Sequence, residues 1–327
     1  MHWYSMFLTC IISLGTVTNL AMMCNCARQV RSLKTTVLLS MTAADFVQCV
    51  VGYTLQLVIN EKRASDFLCV AAAFHLSLLG LVSILHFVVL FLERTVRIIT
   101  HSRQHPLDKK KYWIIAAIWL YALVWAVAPL LGWGSYQSKV VLVYNCSVRV
   151  PNMSLKDKLY FYGLIFFVFI LSVLAILFLY AVAKYQLNKN LRKLVLCSAS
   201  IQISILDSRR TQIRRFDRMT LTMTVIFIGA WTPFACVTFY QLTTGRQLPD
   251  YMAVGAPLLA KSCVFFNPFV YAYYYLSVNP KVFFWIVSTT KKSRSSTTTS
   301  EIIRNTNITP NTAVTVCNTS DVQTTRL

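Results

Sequence analysis

Two ionisable residues stand deep inside long apolar runs, Lys261 within Tyr251 to Leu276 and Asp45 within Thr36 to Asn60. A charge in hydrocarbon is costly, so an ionisable residue there is a functional candidate by default. Lys261 stands six residues ahead of Asn267-Pro268, roughly 9 Å along a helix axis. Desolvation disfavours an ammonium ion, and a neutral amine can attack an aldehyde to form a Schiff base. Apolar helix on both sides leaves a snorkelling side chain little reach to either surface; a structural ion pair is the plainer reading. Asp45 lies midway along its run, where Asn19 and Asn267 reach a similar depth. That polar cluster either locks helices together or acts as an ion-sensitive switch.

These residues need helices that cross a bilayer. Of the 327 residues, 56% are hydrophobic and 13% charged, a balance that a soluble domain does not carry. The apolar residues fall into seven runs: Trp3 to Cys26, Thr36 to Asn60, Phe67 to Leu92, Trp113 to Trp133, Leu159 to Val182, Met219 to Leu242 and Tyr251 to Leu276. Each is about the 20 residues that a helix needs to span, and runs of this length exclude barrel strands. The predicted fold is all-α, a seven-helix membrane bundle. Basic residues crowd the odd connections: Arg28, Arg31 and Lys34; Arg94, Arg97 and Arg103; Lys184 through Arg218. Positive loops stay cytoplasmic, which puts the amino terminus outside and the carboxyl terminus inside. The net charge of +21 therefore points to anionic inner-leaflet lipid and a cytoplasmic partner rather than nucleic acid.

The first run lacks a basic leader and is followed by positive charge, so it is expected to remain as an anchor. One membrane domain is predicted over residues 1–287, ending in a short amphipathic surface helix over Asn279 to Ile286, with a disordered Ser/Thr-rich tail over 288–327. Of ten cysteines, Cys69 and Cys146 fall near the outer surface, so a bridge between the third helix and the second outer loop is the obvious pairing. Asn145-Cys146-Ser147 and Asn152-Met153-Ser154 are outward-facing glycosylation sequons, making Asn145 and Asn152 candidates.

The chain resembles the rhodopsin-like (class A) G-protein-coupled receptors, and specifically the animal opsins, over nearly all of residues 1–290. The resemblance is carried by Asn19, Leu39-Ser40-Met41-Thr42-Ala43-Ala44-Asp45, Glu93-Arg94-Thr95, Trp119, Pro129-Leu130-Leu131-Gly132-Trp133, Trp231-Thr232-Pro233 and Asn267-Pro268-Phe269-Val270-Tyr271. A lysine at the spacing of Lys261 before Asn-Pro separates opsins from other receptors. The resemblance implies that Lys261 holds retinal, with Trp231 packed against it and Phe234 as a second wall. It implies that Glu93 restrains Arg94 at rest, that Arg94 then engages a heterotrimeric G protein, and that Tyr271 moves in to support that state. A receptor kinase and arrestin would act at the tail.

Departures from the family concern charge. A protonated Schiff base needs a nearby anion, yet three residues beyond Cys69 stands Ala72, and Trp133 to Cys146 contains no carboxylate. The nitrogen is therefore expected to be neutral in the dark or balanced by a bound chloride. The fifth run also lacks the common central proline and the segment before the first run is very short, departures from the family that are expected of a non-visual or invertebrate opsin. A receptor for a diffusible ligand and an opsin-like retinal photoisomerase are the rivals. An amine receptor would need a carboxylate in the third run, and Phe67 to Leu92 has none. A transporter is disfavoured because paired repeats and paired broken helices are absent from the sequence.

Overall fold

Long apolar runs have one way to pair their backbone groups in hydrocarbon, and this chain takes it. The computed structural model describes residues 2–28, 30, 32–62, 65–100, 106–140, 144–148, 154–197, 203–246 and 248–276. The expected surface helix, the tail and Asn152 lie outside the described residues. The first span is α1 (His2–Ala27); the second joins α2 (Leu33–Val47) through a π-helical turn, Gln48–Tyr53, to α3 (Thr54–Lys62). The third is α4 (Asp66–Thr100) and the fourth α5 (Lys111–Val127), each unbroken. Strands β1 (Tyr136–Val140) and β2 (Tyr144–Val148) precede the fifth span, α6 (Leu155–Gly163), a second π-helical stretch and α7 (Leu171–Cys197). The sixth is α8 (Ile203–Thr244); the seventh is split into α9 (Asp250–Lys261) and α10 (Cys263–Leu276).

Seven segments are thus long and apolar enough to cross a membrane. Their outward surfaces are apolar too: Trp113 is 80% and Phe178 68% exposed, and only lipid makes such faces tolerable. The protein is multi-pass. At its connections, Ser32 caps α2 in a reciprocal box with Thr35, and Asp108 accepts the Leu33 amide at 2.6 Å, placing a carboxylate at a helix start. Trp119 donates its indole N–H to Ser40 Oγ at 3.0 Å, tying α5 to α2.

The antiparallel hairpin, with Ser138 opposite Cys146, adds two short strands to the expected all-helical bundle. The last carbonyls of α5, before Pro129, take donors from elsewhere in the chain. Proline has no N–H, so the Trp125 carbonyl four residues earlier lacks its helical donor, and the buried Tyr160 hydroxyl donates to it at 2.9 Å. Tyr136 in β1 donates to the next carbonyl, Ala126, at 2.8 Å. Burial pushes the Tyr136 phenol up to about 12, keeping that donor protonated. Gly132 follows with φ 86°, the left-handed turn that ends the segment.

Candidate functional site

The seventh span breaks where chemistry was expected. Lys261 is the last residue of α9, Ser262 turns the chain, and its hydroxyl donates to Leu259 O at 2.6 Å. Pro268 removes another backbone donor, orphaning the carbonyl of Val264 four residues before it. Asn19 replaces that donor: its Nδ2 donates to Val264 O at 3.0 Å and to Gly15 O at 2.8 Å. Asn19 therefore bridges the first and seventh spans through backbone, whereas the sequence had grouped it with Asp45.

Asp45 is fully buried, and both its oxygens are engaged: Ser83 Oγ donates at 2.7 Å and Asn267 Nδ2 at 3.2 Å. The Asp45–Asn267 contact anticipated from the sequence is present. Ser83, which completes it from α4, was missed because only charged groups were sought there; a hydroxyl at mid-span was its signal. Replacing Asn267 by Leu leaves an Asp45 oxygen buried without a donor, at a cost of about 1–3 kcal/mol. Thermal unfolding in detergent should show the loss, and the double variant with Asp45→Leu should lose less than the sum of the single ones.

A cavity of about 240 Å³ opens between the second, third, fifth, sixth and seventh spans. Its lining runs along α4 from Ala73 to Phe87, about 21 Å at the helical rise, so the space is long and narrow enough for an extended apolar ligand. Lys261, Trp231 and Phe234 all line it, and Lys261 is the one charged group among its described lining residues. Trp231 and Phe234 meet edge to face with centroids 6.2 Å apart. Opposite them, a Cβ added at Gly80 would lie 3.8 Å from the Trp231 ring, so the missing side chain keeps space beside the indole. Lys261 Nζ sits over the Tyr53 ring, 5.9 Å from its centroid. Ala72, where a carboxylate was sought, is buried in a small cluster with Ile59, Cys69 and Tyr136.

At the far end of α4, the Glu93 carboxylate is held by Arg97, one turn on, through both Nε at 2.8 Å and a terminal nitrogen. The sequence reading had named Arg94 alone as its partner. Arg94 and Tyr271 lie within electrostatic range of each other and of Glu93. Cys69 is disulfide-bonded; the side chains of Cys146 and Asn145, both in β2, lie outside those described.

A heptahelical bundle with an apolar intramembrane cavity is the architecture of a membrane receptor. The family model for the 7 transmembrane receptor (rhodopsin family) matches residues 16–271. The chain belongs to that family, one of receptors rather than enzymes. Among its relatives, melanopsin-B of Gadus morhua is 23% identical over 283 residues, which is 83% of this chain and 46% of that protein. Pinopsin of Gallus gallus is 25% identical over 280 residues, 80% of this chain and 76% of the relative. The chain spans about half the length of the melanopsins it matches, from 40% to 56%. The fold is that of squid rhodopsin, with TM-score 0.76 at 16% identity, covering 89% of this chain and 87% of the other.

Proposed function

We propose that the protein is a light-sensing receptor that holds retinal covalently through Lys261 Nζ and activates a heterotrimeric G protein. The observation that carries the reading is a single amine in a long, otherwise uncharged cavity within the membrane. The residues present fit the group: apolar walls, a tryptophan with an open space beside it at Gly80, and one nucleophile. Retinal bound there supplies a double bond that light isomerises. Lys261 tethers it at the α9–α10 break, Trp231 and Phe234 wall it, and the indole, itself part of α8, passes a change of ligand shape to that helix. The Glu93, Arg94 and Tyr271 end then faces the cytoplasm, in keeping with the basic loops, with the amino terminus outside. A receptor kinase and arrestin acting on the Ser/Thr-rich tail complete the cycle. A cationic diffusible ligand fits poorly, because its charge would meet Lys261 with no carboxylate among the described lining residues.

The same absence leaves the loaded nitrogen either neutral in the dark or balanced by chloride. Loading the protein with 11-cis-retinal, then reducing with borohydride under acid, should leave a retinyl mass on the peptide containing Lys261. No adduct there removes the photoreceptor reading. An ultraviolet band, or a visible band that shifts when chloride is replaced by a larger anion, is the expected spectrum; a visible band indifferent to chloride excludes both states. Light-dependent nucleotide exchange on a G protein separates a signalling receptor from a photoisomerase, which would release converted retinal without exchange.

A further inference from the structure

The second span departs from α-helical geometry beside Lys261. Gln48 and Tyr53 are the first and last residues of the π-helical turn. On a regular α-helix, residues five apart point about 140° away from each other; the wider π turn brings these two together, and Gln48 Nε2 donates to the Tyr53 hydroxyl at 3.0 Å. That hydroxyl in turn donates to the Lys261 carbonyl at 3.3 Å. Tyr53, fully buried, is thus held at its hydroxyl with its ring face toward the Lys261 nitrogen, 5.9 Å away. Gln48 is 5% exposed and lines the same cavity, and its Oε1 finds no hydrogen-bond partner among the described residues. An oriented amide oxygen left open in an apolar space points to a ligand or a cation that completes it. Asp45 does not line that space, and its oxygens accept from Ser83 and Asn267.

We infer that the Gln48–Tyr53 pair is the charge-holding site for the Lys261 nitrogen, with a ring face and an amide oxygen in place of a carboxylate. A cation within about 6 Å of a ring centroid is attracted by the ring quadrupole, more strongly when desolvated. The amide oxygen adds a directed acceptor for an N–H of the charged form. The other titratable groups in electrostatic range of Tyr53 are Tyr4, Cys49, Cys263 and Asp45, and Tyr160 and Cys263 line the cavity itself; no carboxylate is among its described lining residues. The inference deepens the retinal reading, on which its biological meaning rests, by assigning to chain residues the balance between charged and neutral nitrogen.

The test uses the retinal-free protein, so that it stands apart from chromophore binding. Reductive methylation with formaldehyde and cyanoborohydride, followed by mass spectrometry of the Lys261 peptide, reports the free-amine fraction. The ratio of the neutral-buffer rate to the alkaline-buffer rate cancels differences in access. Tyr53→Leu should raise that ratio about tenfold, the scale of a desolvated cation–π contact; Gln48→Leu should raise it less, and Gln48→Glu should lower it. Tyr53→Phe keeps the ring face and should stay near wild type, which also guards against a variant that fails to fold. Ratios for Tyr53→Leu and Gln48→Leu within twofold of wild type would overturn the assignment. The expected changes in ratio together with failed retinal loading of the wild-type protein would instead count against the photoreceptor reading.

Discussion

Lys261→Ala and Lys261→Met are expected to bind no retinal covalently, giving no pigment band and no retinyl mass after borohydride, while wild type is labelled to near completion. The effect is all-or-none because a carbon–nitrogen bond needs a nucleophilic nitrogen, and no second amine lines the cavity among the described residues. Met keeps the length and flexibility of the lysine stem, so its loss of labelling cannot be assigned to a collapsed cavity. Arg serves as a further control: a guanidinium keeps the charge but does not deprotonate in proteins, and so forms no adduct. Each variant should retain wild-type stability to within about 1 kcal/mol, since a half-buried lysine with no carboxylate partner among the described residues contributes little to the bundle. Pigment formation in Lys261→Ala, or label on another peptide of the wild-type protein, would move the attachment site elsewhere and leave the cavity as a pocket for a diffusible ligand.

The spans were legible because the bilayer imposes a length and a composition on every crossing, and all seven runs appear as helices. What the runs did not reveal were their interruptions. The π turn at Gln48–Tyr53 carries no Pro and no charge, so a pair five residues apart read as two unrelated positions on opposite faces. Tyr136 of the hairpin and Tyr160 of α6 reach back to the Ala126 and Trp125 carbonyls at the end of α5, long-range contacts that no local pattern announces. Lys261, Asp45 and Asn267 could be found in the sequence because charge and amide groups in hydrocarbon are conspicuous. Their partners could not, because Ser83 is an ordinary residue inside a span and the donor for Val264 O comes from a helix 245 positions away. Glu93 and Arg97 lie at i,i+4, a spacing that elementary helix geometry favours, yet the adjacent Arg94 drew attention first.

Loss of the Cys69 disulfide should destabilise the protein by about 3–5 kcal/mol, a large part of the margin of any folded domain. Cys69 is 1% exposed at the start of α4, packed with Ile59, Ala72, Ala73 and Tyr136, so a serine there also buries a hydroxyl among apolar neighbours. Six cysteines, Cys10, Cys24, Cys26, Cys49, Cys236 and Cys263, are free thiols. Cys146 stands in the hairpin that packs on the same end of α4, while Cys197 closes α7 at the other end of the bundle. Placement therefore favours Cys146 as the partner, and the energetics supply the check. If the two form one bond, Cys69→Ser, Cys146→Ser and the double variant should unfold with the same lowered midpoint, and dithiothreitol should lower the wild type to match. Additive losses in the double variant, or a Cys146→Ser protein as stable as wild type, would mean that Cys69 is bonded to a different cysteine and that the hairpin is held by Tyr136 and its packing on α3 and α4.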